Sequence, residues 1–108
     1  MSYARIDPVI NAWTEKHSLC LNTSFGDRDA RFIYVSSNIG ECFQIAIGEP
    51  QSGSVAIDAW DVETHKDEEM HSCVTVDQSK LRDALEDMLT TVYGWMKRHD
   101  ASATRFIP

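Results

Sequence analysis

No CxxC pair, HExxH motif, glycine-rich phosphate loop, dinucleotide fingerprint or GxSxG elbow occurs in this 108-residue chain. These absences remove the strong local signatures of zinc sites, metalloproteases, nucleotide-binding enzymes and serine hydrolases. The twelve-residue calcium loop is missing too. No apolar run approaches the ~20 residues that cross a bilayer. The opening stretch, MSYARIDPVINAW, lacks the apolar core and small-residue cleavage site of a secretory signal, so a cytoplasmic location is expected. Cysteine is scarce: Cys20, Cys42 and Cys73 are odd in number and far apart, which suits reduced thiols better than a disulfide framework. A basic stripe is also absent, and direct nucleic-acid binding is not expected.

Acid is what the chain has in excess, and in one place. The net charge is −7. Between Glu41 and Glu69 stand eight acids (Glu41, Glu49, Asp58, Asp61, Glu63, Asp67, Glu68, Glu69) and one base, Lys66, while the other nine acids and nine bases cancel. The chain is thus a neutral scaffold carrying one acidic region, toward which a basic partner would be steered. Hydrophobic residues at 43% and charged residues at 25% are ordinary globular values and argue against disorder.

The patterning predicts an α+β fold: a short N-terminal helix, about five antiparallel strands in a meander, and a long C-terminal amphipathic helix packed on one face. Residues 1–100 form the single domain, and 101–108 read as a tail. Asp7-Pro8 signals a helix start with Asp7 as cap, and Ile6, Val9, Ile10 and Trp13 follow at helical spacing. Strands are expected over Leu19 to Ser24, Arg31 to Ser37, Cys42 to Ile47, Ser54 to Glu63 and Ser72 to Val76, joined by connections too short for a helical crossover. Asp77 is positioned to cap a last helix in which Leu81, Leu85, Met88, Leu89, Val92, Trp95 and Met96 recur on one side.

Because strand side chains alternate, each strand divides into two sets. Leu19, Leu21, Ile33, Val35, Phe43, Ile45, Ile47, Val55, Ile57, Val74 and Val76 go to the face under the helices. The other face receives Cys20, Phe32, Tyr34, Cys42, Gln44, Ala46, Asp58, Trp60, Cys73 and Thr75. That set is too apolar for an ordinary wet face. Aromatic residues edged by charge are typical of protein interfaces, unless the N-terminal helix covers them or a bulge turns Trp60 away.

The expected function is therefore a small, acidic, non-enzymatic protein-binding module for a basic protein, comparable in size and charge to immunity and inhibitor proteins. Its interface residues are Phe32, Tyr34, Asp58, Trp60, Asp61, Glu63, Asp67, Glu68 and Glu69. No cofactor, catalytic residue, metal ligand or membrane contact is assigned. Two alternatives follow from the same sequence. One is a dimeric secretion-type chaperone, for which the helix, five strands and helix fit but an internal helix between Ile47 and Ser54 is not evident. The other is a small metal-dependent enzyme using His65, His71 and Cys73, which requires those three to meet in space.

Overall fold

Connections of a few residues leave neighbouring strands no room to run parallel, and the structure follows that constraint. It is a computed structural model that describes residues 3–37, 40–62 and 71–105, with side chains to Met96 in the last segment. Five strands, β1 (Leu21–Phe25), β2 (Arg28–Ser36), β3 (Cys42–Ile47), β4 (Ser54–Asp61) and β5 (His71–Asp77), form one antiparallel sheet whose spatial order is the chain order. Helix α1 (Asp7–Lys16) precedes the sheet and helix α2 (Leu81–Arg105) follows it. The architecture is α+β, as the patterning predicts.

Alternation is strictest in the two middle strands. Phe43, Ile45 and Ile47 in β3, and Val55, Ile57 and Ala59 in β4, are all buried. Side chains of this kind at period two favour extended backbone and send one face to the core. Ile33 and Val35 of β2 join them, with Leu19 and Leu21 half-buried at the margin. Val74 departs from the expectation. It lies on the core face opposite Ile57, yet it is 37% exposed, because β5 is an edge strand only partly covered by the α2 residues Ala84 and Met88.

The hairpin turns have local causes. Gln51 and Ser54 exchange N–H···O bonds of 2.8 and 3.0 Å around Ser52 (φ 53°) and Gly53 (φ 81°). Two positive φ values are the pattern of a type I′ turn, which matches the right-handed twist of the strands. The Gly53 carbonyl accepts from the Gln78 N–H at 2.8 Å, tying this turn to the start of α2. No helix stands between Ile47 and Ser54, so the internal helix of the chaperone alternative is absent.

Both helices lie on the same face of the sheet. The stripe Leu81, Leu85, Met88, Leu89, Val92, Trp95 and Met96 is buried throughout, and α2 packs on β3, β4 and β5. Each fully buried aliphatic side chain of this kind contributes roughly 1.5–3 kcal/mol. Asp77 does act as the cap: its carboxylate accepts from the Ser79 N–H at 3.0 Å and from the Ser79 hydroxyl, through the 3₁₀ turn Gln78–Lys80 that leads into α2. These bonds hold its pKa below the ordinary carboxylate range. The helix continues to Arg105, into the stretch expected to be a tail.

Helix α1 packs beside α2 through Ile10 and Trp13. Asp7 does not cap it. The cap position is Ile6 and makes no side-chain bond, while the Asp7 carboxylate takes a two-pronged ion pair from Arg31 at 2.7 and 3.1 Å. An arginine fork offers a carboxylate more than one helix amide can, and tertiary contact wins over the local cap. At the other end of α1, Glu86 of α2 accepts from Lys16 at 3.1 Å and pairs with His17 at 2.9 Å. No helix among the described residues is long and apolar enough to cross a membrane.

Candidate functional site

With both helices on one side, no helix among the described residues lies on the other. Antiparallel register lines up Asn22, Phe32, Ala46, Asp58 and Cys73 in one row across all five strands of this open face. The next row holds Tyr34, Gln44, Trp60 and His71. Toward the β3–β4 turn a third row carries small residues, with Gly48 donating to the Ala56 carbonyl at 2.8 Å and Ala56 opposite Thr75. The pairing of β4 runs unbroken from Ser54 through Trp60, so no bulge turns Trp60 toward the core.

Three aromatic rings form a ladder. Phe25 meets Phe32 with centroids 6.2 Å apart, and Phe32 meets Tyr34 at 5.6 Å, both edge to face. Such pairs contribute about 0.5–1.5 kcal/mol beyond area burial. Phe32 is only 8% exposed, while Phe25 is 68% and Tyr34 46% exposed. The middle ring is thus covered by its neighbours on the face. Phe25 was missed by the sequence expectation, which ended the first strand at Ser24. The register shifts between Asn22 and Ser24, with one more residue in β2 than in β1, so Ser24 falls opposite Asp29 and Phe25 opposite Arg28; Phe25 meets Phe32 and lines the open face. The local signal was the two-residue turn Gly26-Asp27, with Gly26 at φ 64°, which lets the hairpin begin directly after Phe25.

Between the ladder and Asp58 lies a groove of about 470 Å³. Ala46, Gly48 and Ala56 line its centre, Phe25, Phe32 and Trp60 its flanks, and Tyr3 and Arg31 one end. Among the described residues Arg31 is the only cation lining it, and that cation is spent. The guanidinium donates to Asp7, to Asp29 at 2.7 Å and to the Thr23 and Ala30 carbonyls, and it stacks over the Tyr3 ring at 4.4 Å. Burial, then the nearby Glu49 charge, push the Tyr3 hydroxyl pKa up. The groove therefore lies in a negative field: Asp58 on one side, Glu49 beyond the end, and Arg31 neutralised by two carboxylates. A second groove of about 300 Å³ lies between the helices at Pro8, Val9 and Trp13, but its Lys16 is already paired with Glu86.

The expected site residues divide. Phe32, Tyr34, Asp58 and Trp60 are together on the open face. Asp61 is not: it follows Ala59 on the helix side of β4, opposite Phe43, and is 3% exposed. Glu63, Asp67, Glu68 and Glu69 lie outside the described residues, as does His65. His71 and Cys73 do share the open face of β5. The His71 Nε2 stands 4.0 Å from an Asp58 oxygen, and the Asp58 carboxylate, directly opposite Cys73, pushes the thiol pKa up by hydrogen bonding. A thiol held protonated is the reverse of an activated nucleophile. Among the described residues no three His, Cys, Asp or Glu side chains are grouped to hold a metal ion.

Comparison with protein families, with curated proteins and with solved structures finds no match for this chain.

Proposed function

We propose that this chain is a non-enzymatic protein-binding module, of the immunity or inhibitor type, whose open sheet face docks on a basic protein. The observation that carries the proposal is the ladder Phe25, Phe32 and Tyr34, its two outer rings exposed, beside Trp60, along a groove whose one lining cation among the described residues is already paired. Aromatic anchors surrounded by polar groups are where protein interfaces concentrate their binding energy. The field has the sign for a basic partner, and in sequence residues 63–70 carry Glu63, Asp67, Glu68 and Glu69 against Lys66.

Electrostatic complementarity acts mainly on the rate of encounter. The test is association of the chain with a basic protein captured from the native lysate, for the wild type and for Asp58→Lys. The proposal expects slower association and a flatter salt dependence for the variant. Equal rates at low salt would remove its electrostatic half.

A further inference from the structure

Across the centre of the open face the side chains form a slot of matched chemistry. Phe32, Ala46 and Asp58 are consecutive residues of one cross-strand row, so a ring and a carboxylate face each other over a single methyl group. With strands ~4.8 Å apart, the two outer Cα atoms are roughly 10 Å apart. Beside Ala46 the floor stays low, because Gly48 and Ala56 lie next along the strands. Trp60, two residues along β4 from Asp58, closes the side toward Tyr34. Asp58 keeps 41% of its side chain exposed; among the described residues His71 Nε2 stands 4.0 Å from it and no lysine or arginine pairs with it.

We infer that this slot receives one arginine side chain of the protein partner. The inference rests on the protein-binding reading above and names the group that anchors it. An arginine stem is apolar and lies well against Ala46 and Ala56, its planar guanidinium stacks on an aromatic face, and its two-pronged donors fit a carboxylate. The chain itself uses the same chemistry once: Arg31 stacks on Tyr3 while forking onto Asp7. At the slot, the Trp60 ring and the Asp58 carboxylate are in place, and a guanidinium must come from outside. Lysine, a compact and strongly hydrated charge, would gain less from the ring. A neutral side chain of the same shape would leave Asp58 without its counter-charge.

The test is a titration of the isotope-labelled full chain with three blocked tripeptides, Gly-Arg-Gly, Gly-Lys-Gly and Gly-citrulline-Gly, followed by NMR. The arginine peptide is expected to bind in the millimolar range, shifting the Trp60 indole and the Ala46 and Ala56 methyls, with lysine several-fold weaker and citrulline at least about tenfold weaker. Asp58→Asn and Ala46→Leu should each abolish the saturable shifts with the sheet spectrum otherwise intact. Equal response to arginine and citrulline, or shifts confined to the helix side, would overturn the inference. The broader reading is separable. A partner whose capture depends on Phe25 and Tyr34 but is indifferent to Asp58→Asn and Ala46→Leu would keep the docking face and reject the slot.

Discussion

Phe25 and Phe32 meet edge to face, 6.2 Å between centroids, on the side of the sheet that neither helix touches. The hairpin that carries them is irregular: from the pair Asn22–Phe32 to the pair Ser24–Asp29, β2 spends one residue more than β1. Phe25 is more exposed than any other large hydrophobic side chain described, which points to a role in contact with something else.

That division of labour predicts opposite behaviour for two phenylalanines. Phe25→Ser should change stability by no more than about 0.5–1 kcal/mol, since the side chain is mostly in water and loses one ring contact. Phe43→Ala, fully buried against Trp95, should cost about 3–5 kcal/mol. Urea unfolding with a constant m-value separates them. Comparable losses would mean that Phe25 is structural.

Arg31 should matter more than a surface arginine. Its side chain is 11% exposed, and removing it strands Asp7, whose side chain is 30% exposed. Arg31→Met should destabilise by about 2–3 kcal/mol, below the value for a fully buried pair because Asp7 retains some water. A double-mutant cycle with Asp7→Asn should show coupling of about 1–2 kcal/mol. Additive effects would show that the two act independently.

Helix α2 contains a removable weakness. Gly94 lies in its interior, and a Cβ there would meet nothing within 4 Å. Gly94→Ala should stabilise the fold by about 0.5–1 kcal/mol, a rise of a few degrees in Tm. A fall in Tm would mean that α2 needs a glycine at that point.

The Glu86 contacts between the helices carry a pH dependence. Hydrogen bonds from His17 and then Lys16 hold its folded pKa below the unfolded value of ~4.3. A depressed carboxylate stabilises above its unfolded pKa, and the contribution is lost as pH falls through the folded value. The Tm difference between wild type and Glu86→Gln should therefore be steady from pH 6 to pH 5 and shrink below about pH 4.3. A difference unchanged down to pH 3 would contradict this linkage.

Cys73 should alkylate slowly for an exposed thiol, because Asp58 keeps it protonated. Asp58→Asn should accelerate modification by iodoacetamide at pH 7.5, read by mass spectrometry. No acceleration would place the cause elsewhere.

Much of this was legible in the chain because period-two alternation is a local signal. It put Phe32, Tyr34, Asp58 and Trp60 on one face and Phe43, Ile45 and Ile57 on the other. The remainder depended on partners distant in sequence. Asp7 has the position of a cap, and only the fold brings Arg31 to claim it. Val74 has the pattern of a core residue, and only the strand order makes it an edge. Composition groups Asp61 with the acidic surface, although alternation with Ala59 puts it on the buried side. Phe25 lies beyond the register shift of the β1–β2 hairpin, which no periodicity reports.

Whether the open face is a docking surface is tested most directly by affinity capture from native lysate with three baits in parallel. These are the wild type, the double variant Phe25→Ser with Tyr34→Ser, and Arg82→Glu on the helix side. A basic protein held by the wild type and the Arg82 variant, but lost from the double variant and on raising salt, is the predicted result. Capture indifferent to the open-face substitutions, or no basic protein held by the wild type, would contradict it.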